Sequence, residues 1–152
     1  MEILKADIND SAEILALQRI AYQQEAEMYN VCEFPPLTQT RAELDLEFKN
    51  GVVLKDVIKN IIIGSVRAYV KSNNCYISRL IVHPEYQNQG IGTKLMNNIE
   101  KYFADKKVEK YELSTIEKSK KNIYLYKKLG YKIFKTEKMN DKVTIVYLEK
   151  IL

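Results

Sequence analysis

The sequence predicts an α/β domain, with a mixed, mostly antiparallel, twisted sheet of about seven strands and four helices. Two observations predict it. Apolar residues recur at helical spacing through most of the chain up to Gly51, and three strand-length apolar runs then follow one another with only short turns between them. Beyond them the pattern alternates helix, strand, helix, and ends in two strands. With 152 residues, and no linker, repeat or low-complexity segment, the expectation is a single domain over 1–152 with room for a proper core.

Taken in order, Ile3 to Ile8 reads as a short first strand. Asn9, Asp10 or Ser11 then offers an N-cap, with Glu13 in the first turn, to a helix that carries Ile14, Leu17 and Ala21 on one face and runs to about Glu27. The prolines of Phe34-Pro35-Pro36-Leu37 end it, because each fixes φ and removes a backbone donor. Thr38 or Thr40 caps a second helix, through Leu44 and Phe48 to Asn50-Gly51. Val52 to Ile58 and Ile61 to Val70 form a hairpin about Lys59-Asn60, and the turn at Lys71 to Asn74 leads to a third strand, Cys75 to His83. Ile91, Leu95, Ile99 and Tyr102 keep one helical face down to about Ala104. Val108 to Ser114 is the next strand, and a helix from about Ser119 to Leu129 stops at Gly130, the residue type favoured just past a helix end. Tyr131 to Lys138 and Lys142 to Leu148 close the chain as two strands about Asn140-Asp141.

Composition narrows the function classes. Hydrophobic residues at 46% and charged residues at 29% fit a globular chain rather than a disordered one. A net charge of +4, from 24 Lys plus Arg against 20 Asp plus Glu, suits an anionic ligand without pointing to nucleic acid or membrane. Lys127 and Lys128 fall on a helix and Lys132 and Lys135 on the strand beyond Gly130, so these basic residues need not share one face for a nucleic acid. Cys32 and Cys75 are the only cysteines, without metal-ligand spacing. No run approaches the roughly 18 apolar residues of a membrane span, and the amino terminus lacks a basic start followed by an apolar run. A cytoplasmic protein without metal is expected.

The stretch HPEYQNQGIGTKL, His83 to Leu95, places two glycines where a helix begins. The first turn of a helix leaves N–H groups unpaired at the positive end of its dipole, and glycine lets a ligand approach the backbone, so the stretch suits a phosphate. A P-loop would need a glycine five residues before Gly92, and a dinucleotide fingerprint would need glycine where Leu95 stands, so both fail. What matches is Gln87-x-x-Gly90-x-Gly92 directly after Leu80 to Tyr86. This resembles the acyl-CoA motif of the GNAT superfamily of N-acetyltransferases, and the order of elements resembles that fold over essentially the whole chain. The resemblance implies that the segment Gln87, Asn88, Gln89, Gly90, Ile91, Gly92 and Thr93, with Lys94 next, cradles the pyrophosphate of acetyl-CoA. It also implies that the backbone of Ile81, Val82 and His83 pairs with the pantetheine arm, in a gap where the sheet splays between its fourth and fifth strands. Acetyl transfer is then direct, with no metal and no cysteine intermediate, and a homodimer is compatible with it.

A second match is Leu125-Tyr126-x-x-Leu129-Gly130-Tyr131, which resembles the family's segment carrying a catalytic tyrosine. It casts Tyr126 as general acid toward the departing thiolate, although Tyr126 also shares a helical stripe with Ile123 and Leu129 and could be core. Either Asn122, one turn earlier, or Ser119 touches the cofactor in this reading. The resemblance places an oxyanion donor at a main-chain N–H near a bulge, around Ile81 or Val82. Where some relatives place a glutamate base, this chain has Tyr76, and Cys75 to His83 contains no carboxylate. Glu25 and Glu27, at the end of the first helix, are the candidate bases, against the plainer reading of a solvated helix end. His83, the only histidine, is assigned to main-chain contact. Tyr22, Tyr29 and Arg41 from the helical side, and Arg67, Tyr69, Tyr76 and Arg79 from the strands, are candidates for the acceptor slot. The acceptor itself, a small-molecule or a peptide or protein amine, is not readable. A non-catalytic acetyl-CoA sensor of the same fold is the rival, separated by whether amine triggers release of CoA thiol.

Overall fold

A computed structural model describes residues 2–31 and 35–152. The elements run β1 (Glu2–Lys5), a 3₁₀ turn (Ile8–Asp10), α1 (Ser11–Tyr29), α2 (Pro35–Thr38), α3 (Arg41–Asn50), β2 (Val52–Ile58), β3 (Ile61–Lys71) and β4 (Asn74–Val82). A second 3₁₀ turn (Pro84–Tyr86), α4 (Ile91–Phe103), β5 (Lys110–Ile116), α5 (Lys120–Lys128), β6 (Lys132–Lys138) and β7 (Thr144–Ile151) complete them. The strands form one seven-stranded sheet in the order β1-β2-β3-β4-β5-β7-β6. Its pairings are antiparallel except for β4 with β5. The expected mixed α/β sheet is therefore present.

Apolar side chains from both faces of the sheet are buried, one face under each pair of helices. Ile14, Leu15 and Leu17 of α1 and Leu44 of α3 pack on Val53, Ile62 and Ile81. On the other face Ile91, Leu95, Met96, Ile99 and Phe103 of α4 and Ile123 of α5 pack on Val52, Leu54, Val66, Ala68, Ile77, Leu113 and Leu148. Met96 and Phe103 widen the stripe read from the sequence, and Tyr102 lies at its half-buried flank. No helix among the described residues is long and apolar enough to cross a membrane.

Several boundaries differ from the sequence reading, for local reasons. Ile8 leaves the strand because Asp7 caps a 3₁₀ turn: its carboxylate accepts from Asn9 N at 2.8 Å, and Asp10 accepts from Asp7 N at 3.0 Å. Asp10 is thereby engaged, and α1 starts at Ser11 with no side-chain cap. Among the described residues there are five α-helices rather than four, because Pro35 and Pro36 open a one-turn helix, where a missing N–H costs little; Phe34 lies outside the described residues. The hairpin at Lys59-Asn60 is as expected, both residues having positive φ, 50° and 65°.

The feature that positions the site is in β4. Arg67 pairs with Ser78 and Ser65 with Ile81, so Val66 alone stands opposite Arg79 and Leu80. This is a β-bulge, and Arg79 adopts φ 53° within it. The extra residue reverses the strand's alternation: Cys75 and Ile77 before it, and Leu80 and Val82 after it, pack on the α4 side, while Ile81 goes under α1. Pairing of β4 with β5 covers only Asn74 with Lys110, Cys75 with Tyr111 and Tyr76 with Glu112. Beyond Tyr76 the two strands part, giving the splay expected between the fourth and fifth strands.

Candidate functional site

The parting of β4 from β5 leaves two clefts. The larger, about 320 Å³, lies between α1, the end of β4, the start of α4 and one face of α5. The smaller, about 160 Å³, is bounded by Pro35 and Pro36, the β4 bulge, Leu113 to Ile116 of β5, and Tyr126. Tyr22, Glu25, Leu80 and Asn122 line both, so the two spaces meet at these side chains.

The larger cleft is built on the start of α4. Gly90 holds the N-cap position at φ 80° and supplies no side-chain cap. The first intrahelical bond runs from Lys94 N to Gly90 O at 3.0 Å, which leaves the N–H groups of Ile91, Gly92 and Thr93 without helical acceptors. All three residues line the cleft, and the first turn carries no acidic side chain to compete for the dipole. The two glycines have different jobs. A Cβ on Gly90 would meet nothing within 4 Å, so only its left-handed φ calls for glycine. A Cβ on Gly92 would meet Leu125 at 3.5 Å and Leu80 at 3.8 Å, ordinary contacts, so the fold itself accepts a side chain there, and Gly92 leaves that part of the cleft lining open.

The β4 edge of the cleft corrects part of the sequence reading. His83 N–H donates to Ile63 O at 2.8 Å, so His83's main chain belongs to β3 and is not offered to the gap. Its ring is also engaged, Nδ1 accepting from Glu85 N at 3.1 Å. By the alternation of a strand, the main-chain groups of Val82 face the opposite edge. Consistent with this, Gln87 Nε2 donates to Val82 O at 3.3 Å, and also to Gln24 Oε1 at 3.1 Å, tying α1 to the end of β4. Ile81, Val82, Gln87, Asn88 and Gly90 line the cleft, whereas Gln89 and Lys94 are exposed and outside its lining.

From α5, both Ser119 and Asn122 line the larger cleft, so the structure brings together the two alternatives. It adds Lys121, Tyr124, Leu125 and Lys128, which the sequence reading missed. Their spacing of three, four and seven residues was a readable signal, since it keeps them on one face of the helix. Ala21, Gln24 and Met28 on α1 form the opposing stripe by the same rule.

Tyr126 lines the smaller cleft, not the larger. It is also a member of the core, with its ring centroid 6.2 Å from that of Tyr131. Burial, with Tyr22 and Glu25 nearby, pushes its phenol well above the ordinary range. Tyr22 is pushed up to about 12, chiefly by burial and against the pull of Arg79. Burial also raises the Glu25 carboxyl, while the Ser119 hydroxyl beside it acts in the opposite sense. Arg79 lines the smaller cleft with its Nε buried and without a hydrogen-bond partner among the described residues.

Other candidates lie elsewhere. Arg67, 3% exposed, donates to Gln18 Oε1 at 3.0 Å and Gln39 Oε1 at 2.9 Å and pairs with Glu47 at 3.1 Å, so it fastens the helices to the sheet. Burial lowers its pKa to about 10. Tyr69 and Tyr76 stack across β3 and β4 at 5.2 Å and line neither cleft. Glu27 is exposed and accepts from Gln23 at 3.0 Å; Arg41 donates to Ser11 Oγ at 3.0 Å. Tyr29 faces the larger cleft and does not line the smaller one. Cys75 is fully buried, and burial pushes its thiol up to about 12, which suits packing rather than nucleophilic attack.

Comparison with known proteins gives the following. The model of the Acetyltransferase (GNAT) family matches residues 14–131. Among curated proteins, thialysine N-epsilon-acetyltransferase of Sus scrofa is 37% identical over 57 residues, 38% of this chain and 34% of that protein. Its Bos taurus counterpart is 35% identical over 60 residues, 40% of this chain and 35% of that protein. The matched segments thus span about a third of the length of these relatives. Among solved structures, the PaiA N-acetyltransferase of Thermoplasma acidophilum in complex with coenzyme A aligns with a TM-score of 0.83 at 20% identity, over 99% of this chain and 98% of that one. The ribosomal-protein-S18-alanine N-acetyltransferase of Escherichia coli aligns at 0.82 with 13% identity, over 99% and 92%. A GNAT family acetyltransferase of Elizabethkingia anophelis with acetyl-CoA bound aligns at 0.63 with 23% identity, over 74% and 84%. At these identities the structural likeness speaks for the fold.

Proposed function

The chain belongs to the acetyltransferase (GNAT) family, and on that premise we propose that it moves an acetyl group from acetyl-CoA, held in the larger cleft, to a primary amine admitted through the smaller one. The observation that carries this is the meeting of the two clefts at Tyr22, Glu25, Leu80 and Asn122, in the gap where β4 leaves β5. The residues present fit the co-substrate. Uncapped N–H groups at Ile91, Gly92 and Thr93 suit a pyrophosphate, and Lys121 and Lys128 border the same cleft with cationic groups. Val82 O, which accepts from Gln87 Nε2 at 3.3 Å, has a second lone pair with which an N–H of an amide-bearing arm in the gap can pair. Both Ser119 and Asn122 stand along that path.

Acetyl-CoA supplies the activated acetyl group as a thioester; the chain's own residues manage protons and charge. A primary alkylammonium is neutral only about once in 2,500 molecules at pH 7, so the amine must lose a proton before it can attack. Glu25, at the junction of the clefts and made more basic by burial, is the base for that proton. The Val82 N–H, on the gap side of β4, is the donor for developing negative charge. Tyr126 has a more limited role than a full proton donor. A phenol near pKa 10 is already a weaker acid than a thiol near 8.5, and burial widens that difference. Tyr126 therefore stays protonated and donates a hydrogen bond to the departing sulfur, which leaves as thiolate when the C–S bond breaks and takes up the second proton that the amine nitrogen loses as the amide forms.

This reading takes the protein to be a cytoplasmic enzyme acting on a small-molecule or peptide amine, as a monomer or homodimer. The test is release of free CoA thiol from acetyl-CoA across a broad amine panel. Amine-dependent release supports the reading; tight acetyl-CoA binding without release on any amine refutes it in favour of a sensor.

A further inference from the structure

We propose that the acceptor is a small molecule bearing a carboxylate as well as the amine, and that Arg79 holds that carboxylate. The proposal rests on the acetyl-transfer reading above and adds to it the chemical class of acceptor.

Backbone geometry is the first support. Arg79 adopts φ 53° at the β4 bulge, a conformation that strains a side-chain-bearing residue and that glycine or asparagine would tolerate better. In regular alternation after Cys75 and Ile77, residue 79 would point into the core under α4. The bulge instead lets Arg79 line the smaller cleft.

Charge is the second. Two arginines on adjacent strands are close enough to repel, but they are treated differently. Arg67 is neutralised by Glu47 and donates to Gln18 and Gln39. Arg79 has no carboxylate within ion-pair distance among the described residues, its Nε has no partner among them, and its guanidinium interacts with the Tyr22 phenol, which burial keeps neutral. A guanidinium set in a cleft with a neutral phenol and an unused N–H is half of a carboxylate site.

Scale is the third. Arg79 and Glu25 both interact with Tyr22, so the cationic group and the proton acceptor flank one side chain. A molecule bridging them places its ammonium at Glu25, where the clefts meet, and its carboxylate at Arg79. The smaller cleft has about 160 Å³, walled by Pro35, Pro36, Ser78, Ser114 and Thr115, which suits a free amino acid or short amino-carboxylate. Polyamines, which would set a second cation against Arg79, are disfavoured.

The experiment measures thiol release with acetyl-CoA and three matched acceptor sets: free amino acids with β-alanine and 4-aminobutyrate, the corresponding carboxamides, and 1,4-diaminobutane. The best amino-carboxylate is expected to exceed its carboxamide by about 10²-fold in kcat/KM, the loss of one charge-assisted, bidentate pair. Arg79→Asn, chosen because asparagine accepts positive φ and preserves the bulge, is expected to erase that preference and leave acetyl-CoA affinity within about twofold. Equal rates for acids and amides, preference for the diamine, or an unchanged acid preference in Arg79→Asn each overturn the inference while acetyl transfer stands. No release with any amine, despite acetyl-CoA binding, overturns the acetyl-transfer reading and the inference with it.

Discussion

Replacing Gly90 by alanine tests whether the start of α4 is held by backbone conformation alone. Gly90 sits at φ 80°, and an added Cβ would meet no atom within 4 Å, so no packing loss contributes to the cost. What remains is the left-handed penalty, about 1–2 kcal/mol for an L-residue. With an unfolding entropy of about 2.1 cal/mol/K per residue, 152 residues give about 0.3 kcal/mol/K, so the expected fall in Tm is about 3–6 °C. Gly92→Ala is the paired control. Its Cβ makes ordinary contacts at 3.5 and 3.8 Å, and alanine is the better helix former by up to about 1 kcal/mol, so Tm should hold or rise slightly. Its methyl group would, however, stand on the cleft floor, and acetyl-CoA binding should weaken by about tenfold, or about 1.4 kcal/mol. Scanning calorimetry without ligand and titration calorimetry with acetyl-CoA measure both quantities. If Gly90→Ala leaves Tm unchanged, or Gly92→Ala lowers Tm as much while binding acetyl-CoA normally, the division of labour between the glycines is wrong.

Three further outcomes are expected. Tyr126→Phe should lower kcat by about 10- to 10²-fold, the loss of one hydrogen bond to a charged group, with acetyl-CoA affinity within about twofold; steady-state kinetics and titration measure this, and unchanged kcat removes Tyr126 from the chemistry. Glu25 has a raised folded-state pKa, so its stabilising contribution is full below the unfolded value of about 4.3 and is lost as pH rises through the folded value. Glu25→Gln should therefore raise Tm at pH 8 but not at pH 4, and should abolish the acidic limb of the kcat/KM profile; a retained limb assigns the base elsewhere. Arg67→Met strands Gln18, Gln39 and Glu47 in or beside the core and should cost about 2–4 kcal/mol, measured by urea unfolding, with acetyl-CoA affinity intact; weakened cofactor binding at full stability would contradict its structural role.

Much of the architecture was legible because it is encoded within a few residues. Lys59-Asn60 forms its hairpin turn through two positive φ angles, and the stripe from Ile91 to Phe103 follows from helical period. Lys121, Tyr124, Leu125 and Lys128 obey the same period, but that period alone does not say that this exposed face borders a cleft. Other features had no local signal. Nothing in Ser78-Arg79-Leu80 announces a bulge, yet that one residue reverses which side chains face each layer. His83 looked available to the gap until the register against Ile63 engaged its N–H. Arg67 and Arg79 are indistinguishable as strand arginines; only the docking of α1 and α3 brings Gln18, Gln39 and Glu47 to the first.

By itself the sequence determined the uncapped helix start at Gly90 to Thr93, its turns and its helical faces, since caps and turns depend on neighbours within about one turn of chain. The tertiary structure decided where β4 and β5 stop pairing, and hence that Tyr22 and Glu25 of α1, Arg79 and Leu80 of β4, and Asn122 and Tyr126 of α5 come together. The physical reason is that strand register and the position of a bulge are set by packing between distant segments. A shift of one residue there changes every side chain that reaches the gap, while leaving each local pattern intact.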